Sequence, residues 1–328
     1  FAVIIFFSTS GIMNAQYKQQ EEPADWEGGV PEGCTTITVG KDASFDGSVM
    51  TSHTDDSHRT RTWLDIVPAE DHPEGAMEKM LQRKNNDSLA MPAYKHVPVG
   101  EIPQVDHTYK YINTAYPCIN EHQLAIGEST FGGRKALRSQ KGLIDCQQLV
   151  ELMLKRCKTA RGALKLADSL LARYGWNDWG ETLTIADPDE VWHLEIVGPG
   201  KGNVGATWAA QRVPDGEVSV NANASRIQQI DLSKPDYFMA SDNVKKLAAD
   251  SGWYNPNQEE FKFCYAYADR SSMAARRREW RVLDLVAPSL NLDPNAENYP
   301  FSVKPDTLVT LEKMVRIFSD YYEGTPYN

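Results

Sequence analysis

Apolar and polar residues alternate with a period of two through residues 35–39, 48–54 and 60–67, which predicts three strands, with Phe45-Asp46-Gly47 as the turn between the first two. Residues 68–103 lose that pattern and read as a long irregular excursion holding one short helix; residues 123–127 are strand-like again. Asp145 is placed to cap a helix whose Leu149, Leu152 and Met153 share a face, and a second helix runs from about Thr159 to a stop at Gly175. Two hairpins are expected next. Residues 182–186 and 191–197 flank Asp187-Pro188-Asp189-Glu190, and residues 206–212 and 218–222 flank Pro214-Asp215-Gly216. Helical patterns return towards the C-terminus. Strands, a helix pair, more strands and then helices indicate an α+β fold of antiparallel sheets covered by helices.

The first 33 residues have a different character. Phe1 to Phe7 are all apolar, small polar residues follow, and Met13-Asn14-Ala15 approximates the small-residue pattern before a leader cleavage point. Residues 1–15 therefore read as a signal peptide lacking its start, and residues 16–33, polar, acidic and rich in Pro and Gly, as a propeptide or linker. The remainder, 34–328, forms the folded domain of an exported protein, periplasmic or secreted. A buried N-terminal strand is the competing reading of 1–15. A membrane span is excluded, because the apolar run falls far short of the ~20 residues required.

A formal charge of −11 excludes nucleic acid and anionic membranes as partners, which need a basic footprint. Arg276-Arg277-Arg278 is the one dense basic run. The five cysteines, 34, 118, 146, 157 and 264, leave at least one thiol without an intramolecular partner. With no CxxC, zinc-ribbon and thioredoxin-like chemistry is excluded. His53, Asp55, Asp56 and His58 suggest a metal site only until strand geometry is applied: alternate residues point to opposite faces, so the cluster splits into two pairs. No metal and no cofactor is expected.

Cys34 carries the most chemistry. It follows Gly33 and opens the first predicted strand, so removal of 16–33 would leave a nucleophilic thiol and a free α-amine on one residue. A thiol titrates near ~8.5 and an α-amine near ~7.7–8.0, so the amine can take the thiol proton. Gly33, without a Cβ, lets the thiol reach the preceding carbonyl. Cys34 as a half-buried strand cysteine, or as a lipid-bearing cysteine, are the alternatives.

The run Cys34-Thr35-Thr36-Ile37-Thr38-Val39-Gly40-Lys41-Asp42-Ala43-Ser44, then Asp46-Gly47-Ser48-Val49-Met50 and Asp55-Asp56-Ser57, resembles the mature start of the PepD-type cysteine dipeptidases (dipeptidase A family), which are N-terminal-nucleophile hydrolases. The likeness continues in Asn120-Glu121-His122-Gln123-Leu124-Ala125-Ile126-Gly127-Glu128-Ser129, in Glu190-Val191-Trp192-His193-Leu194-Glu195 and in Val220-Asn221-Ala222-Asn223-Ala224-Ser225-Arg226-Ile227, and spans essentially all of 34–328. It implies a four-layer αββα sandwich, exposure of the cysteine by removal of the preceding segment, and hydrolysis of a dipeptide through a thioester.

The resemblance makes Cys34 the nucleophile and its own amine the base, and matches Asp56 to an acidic residue that contacts the nucleophile. Asn221 matches an oxyanion donor, Thr130 a second one, and Arg276 an active-site arginine. His53 stands where many relatives have a basic residue. Family members continue past the position of Asn328, so an incomplete C-terminus is expected. An amidase acting on N-acyl amino acids, and a non-catalytic binding protein that keeps the fold, are the alternative functions. Self-association is left open.

Overall fold

The computed structural model describes residues 33–56, 63–86 and 93–328. The expected leader, all of the propeptide except Gly33, and His58 lie outside the described residues. The strands that frame the site are β1 (Gly33–Val39), β2 (Met50–Asp56), β3 (Ala125–Gly132), β4 (Gly180–Ala186), β5 (Val191–Val197), β6 (Thr207–Arg212) and β7 (Val218–Asn221). The fold is α+β. A four-stranded sheet has the order β2, β1, β7 and Ser302–Val303, and every pair is antiparallel. An eight-stranded sheet runs from Phe238–Ala240 through β6, β5, β4 and β3 to the short strands Ile119–Asn120, Tyr111–Asn113 and Asp65–Val67.

Helices α1 (Cys146–Arg156) and α2 (Ala160–Tyr174) begin where the sequence places them, for the reasons it gives. The Asp145 carboxylate accepts from the Gln148 backbone N–H, and the Gln148 side chain accepts from Asp145 N–H, each at 2.9 Å, which completes a capping box. Thr159 caps α2 by accepting from Gly162 N–H at 3.1 Å. Leu149, Met153, Leu164 and Leu171 pack on Ile126, Leu183, Ile185, Leu194 and Ile196, covering the outer face of the large sheet. Helix α3 (Met273–Val286) covers the outer face of the small one, with Trp280, Leu283 and Val286 against Ile37, Val39, Val218 and Val220. Among the described residues no helix is long and apolar enough to cross a membrane.

Two stretches differ from the sequence pattern. Residues 68–103 are dominated by a two-stranded ribbon, Met77–Asn86 paired with Ala93–Pro103, in place of an irregular loop with a helix. The ribbon has two free edges, so Pro98 and Pro103 are accommodated where a central strand would reject them. One side of it is buried at Met80 and Ile102, but Met77, Leu81 and Val99 are apolar and exposed, so the sequence shows no clean alternation. The second expected hairpin also does not form: β6 pairs with β5 and Phe238–Ala240, whereas β7 pairs with β1. The turn at Pro214-Asp215-Gly216 is where the chain changes sheets. It is held by the end of β1, since Asp215 C=O accepts from Asp42 N–H at 2.8 Å and Glu217 C=O from Gly40 N–H at 2.9 Å. A Cβ on Gly40 would lie 2.4 Å from the Asp215 carbonyl oxygen, so only glycine permits this crossing.

The inner faces meet across polar residues. Thr36, Thr38, Ser219 and Asn221 of the small sheet, and Thr182, Thr184, His193 and Glu195 of the large one, are all fully buried. Thr38 Oγ1 lies 2.9 Å from His193 Nε2, Thr51 Oγ1 lies 2.9 Å from Thr184 Oγ1, and Asn221 Nδ2 donates to Thr182 Oγ1 at 3.0 Å. At one end of this layer Arg226 and Glu279, both wholly buried, form an ion pair at 3.0 Å. Removing one partner leaves an uncompensated buried charge. Arg226→Met is therefore expected to cost about 3–5 kcal/mol, with part of the loss restored by adding Glu279→Leu. Urea unfolding of the two variants checks this, and equal midpoints for Arg226→Met and the unaltered protein would contradict it.

Candidate active site

Strand alternation decides which residues meet Cys34. On β1, Cys34, Thr36 and Thr38 point to the large sheet, while Ile37 and Val39 point to α3. On β2, Asp55, His53 and Thr51 lie directly opposite those three residues and share their face. Asp56 is paired with Gly33 and belongs to the other face, where it lines a cleft of about 240 Å³ with Thr35, Thr54 and Arg278.

The backbone of Cys34 is bracketed by residues far along the chain. Its N–H donates to Asn223 Oδ1 at 2.8 Å. Its C=O accepts from Arg278 Nη1 at 2.8 Å, and Arg278 Nη2 donates to Asn223 Oδ1 at 2.9 Å, so one guanidinium ties both halves of the bracket together. Asn223 sits at φ 58, a left-handed conformation that asparagine tolerates better than most residues. It is fixed there because its N–H donates to Ser129 Oγ at 2.9 Å and its Nδ2 to the Thr130 C=O at 2.7 Å.

The other residues singled out from the sequence lie further back. Asn221 is fully buried, and its Nδ2 donates to Thr182 Oγ1 and, at 2.5 Å, to the Ala224 C=O, closing the turn that presents Asn223. The Thr130 hydroxyl donates to Glu181 Oε1 at 2.7 Å. Arg276 donates to the Arg270 C=O at 3.3 Å, away from Cys34. Three adjacent helical residues project about 100° apart, so only one of the arginine run can meet β1, and it is Arg278. Glu128, Asn223 and Arg278 are the contacts of Cys34 that the sequence does not single out. The first two stand inside the blocks that carry the resemblance, and the β1–β2 register would have brought out Asp55 beside Cys34.

The thiol sits against negative charge. Cys34 Sγ donates to Glu128 Oε1 at 3.4 Å, and His53 Nε2 lies 3.3 Å from the same oxygen without the alignment of a hydrogen bond. Burial first, and then the charges of Glu128 and Asp55, push the Cys34 pKa far above the ordinary thiol range. With Gly33 attached the group is a thiol, not a thiolate. The donor atoms of Cys34, His53 and Glu128 lie within 4.8 Å of one another, a spacing a soft divalent cation could bridge. Such an ion would occupy the sulfur lone pair that a nucleophile uses.

Residues 33–328 match peptidase family C69. A probable dipeptidase of Latilactobacillus sakei is 25% identical over 312 residues, spanning 90% of this chain and 62% of that protein. Dipeptidase A of Lactobacillus helveticus is 24% identical over 304 residues, and a probable dipeptidase B of Lactococcus lactis is 26% identical over 308, with the same shares of both chains. The chain thus spans less than two thirds of the length of these relatives.

Neutralising the carboxylate beside the thiol should make the thiolate easier to form. With residue 33 still attached, Glu128→Gln is expected to raise the rate of iodoacetamide alkylation at Cys34 by roughly threefold or more at neutral pH. Peptide mapping by mass spectrometry reads the rate, and an unchanged or slower reaction would show that Glu128 does not set the thiol's charge state.

Proposed function

Because the chain belongs to peptidase family C69, we propose that it is an exported cysteine dipeptidase whose nucleophile, Cys34, acts as the first residue of the mature protein. One observation carries this reading: the backbone nitrogen of Cys34 has a dedicated side-chain acceptor, Asn223 Oδ1, at 2.8 Å. Any buried strand amide needs an acceptor, but here the pairing with β7 ends at Thr36 and a side chain takes over. That side chain can hold an α-amine that exchanges protons with its own thiol as well as it holds an amide.

Once the Gly33–Cys34 bond is broken, the amine accepts the thiol proton and the thiolate attacks the scissile carbonyl of the dipeptide. The ammonium then gives its proton to the departing amine of the second amino acid, which leaves a thioester between Cys34 Sγ and the first. Water, deprotonated by the Cys34 amine, cleaves the thioester and restores the thiol. Asn223 and Arg278 act as positioning residues, holding the nitrogen and the carbonyl oxygen of Cys34. The oxyanion role that the resemblance gives Asn221 requires its amide to leave Thr182 Oγ1 or the Ala224 C=O during the reaction.

The mature protein purified from its host is expected to begin at Cys34 and to hydrolyse dipeptides in preference to N-acyl amino acids. Cys34→Ala should retain residues 16–33 and show no turnover; dipeptide hydrolysis by that variant would refute the mechanism. Asn223→Gly keeps the left-handed backbone but loses the amide, and kcat/KM should fall by roughly 10- to 100-fold.

A further inference from the structure

Beside the nucleophile lies a second feature that the chemistry of Cys34 does not require. Glu128 and Glu181 lie on neighbouring strands, β3 and β4, on the face that packs on α1. They are 2% and 3% exposed, and a carboxylate oxygen of each lies within 4.8 Å of the other and of Cys146 Sγ. When both are ionised, neither Oε2 has a hydrogen-bond donor. The two can bond to each other only when a proton is shared, and burial together with the Glu128 charge raises the Glu181 pKa well above the carboxylate range.

The surrounding groups supply little compensation. Thr130 Oγ1 donates to Glu181 Oε1, and Cys34 Sγ and His53 approach Glu128 Oε1, but no Lys or Arg forms an ion pair with either carboxylate among the described residues. Asp178 and Asp55 add further negative charge. Buried carboxylates are normally paired, and an acid pair without a cation costs folding free energy unless a ligand supplies the cation.

We propose that the Glu128–Glu181 pair is the binding site for a primary ammonium group, the free α-ammonium of the substrate, and that it confines cleavage to the bond after an N-terminal residue. The inference rests on the dipeptidase reading for the identity of that substrate.

The geometry is set by covalent structure. In an N-terminal residue the ammonium nitrogen lies about 2.5 Å from the carbonyl carbon of the same residue. A thiolate attacks that carbon from ~3–3.5 Å, so the ammonium falls within a few ångströms of the sulfur. Glu128 Oε1, 3.4 Å from Cys34 Sγ, can accept from the ammonium when that group lies on the same side of the sulfur. An acylated or internal residue has no charge to offer there and would leave both carboxylates unpaired. The nearest cleft on this side, about 480 Å³ and lined by Tyr116 and Asp178 together with Arg83, Lys84 and Arg138, stops short of both glutamates, so the ammonium must arrive along the Cys34 side.

Calorimetric titration of the mature wild-type protein, in the presence of a metal chelator, tests this without relying on turnover. The probes are the ketomethylene isostere of alanyl-alanine and its desamino counterpart. Wild type should bind the amine-bearing isostere roughly 10- to 100-fold more tightly, and this ratio should collapse towards one in Glu181→Gln and in Glu128→Gln. Melting temperatures of the variants confirm folding, and if either variant fails to fold, the wild-type ratio still decides. Equal binding of both isosteres by wild type, or an undiminished ratio in the folded variants, overturns the proposal. Amine preference in a protein that hydrolyses no dipeptide would uphold the ammonium site and sink the dipeptidase reading. Dipeptide hydrolysis without amine preference would do the reverse.

Discussion

The hydrogen-bonded polar layer between the two sheets is the constraint on which the rest of the structure depends. An apolar interface tolerates sliding, because dispersion has no direction. A layer of threonine hydroxyls, an imidazole and an amide does not, since each group must meet its partner at one register or remain buried and unsatisfied. Thr38 with His193, Thr51 with Thr184 and Asn221 with Thr182 thus fix how β1, β2 and β7 sit on β4 and β5. Gly127 sets how close the sheets come: a Cβ there would lie 2.8 Å from Thr184 Oγ1 and 3.1 Å from His53 Cβ. The apolar contacts are on the outer faces, under α1, α2 and α3, where they hold the sheets together without deciding alignment.

Cys34 occupies the end of that layer, and its environment follows from its place. Arg278 is taken up by its carbonyl, while the buried thiol itself faces Glu128 and Asp55, so the thiol is held protonated as long as Gly33 remains attached. His193, deeper in the same layer, shows the same rule from the other side: burial and the charge of Arg226 push its pKa down to about 3, so it serves as a neutral hydrogen-bonding group. Both residues keep the uncharged form, because the layer solvates dipoles well and isolated charges badly. A mature α-amine on Cys34 would fall where the bracket of Asn223 and Arg278 is already built.

Legibility from the sequence tracks how local the determining interaction is. The caps at Asp145 and Thr159 and the stop at Gly175 are decided within a few residues, and the helices stand where those residues predict. The pairing of β1 with β7 is decided by contacts between residues 36–39 and 218–221, so the turn at 214–216 imitates a hairpin until the clamp from Gly40 is seen. The same holds at the site. Cys34 was legible because Gly33, the strand onset and the polar segment before it are contiguous. Asp55 and Asp56 are adjacent in sequence and opposite in orientation, and only the register with β1 separates them. In the arginine run the phase of α3 on the sheet, set by Trp280, Leu283 and Val286, picks Arg278.

The bracket around Cys34 also sets a clock. Its two members lie 189 and 244 residues downstream, so the cysteine leaves the ribosome long before the groups that orient it exist. At ordinary synthesis rates that interval is roughly 10–50 s. Throughout it the thiol has neither a fixed amide nor a guanidinium on its carbonyl. Any reaction that needs this geometry is confined to a chain whose C-terminal helices have already docked, and a partly made or truncated chain carries an unarmed cysteine.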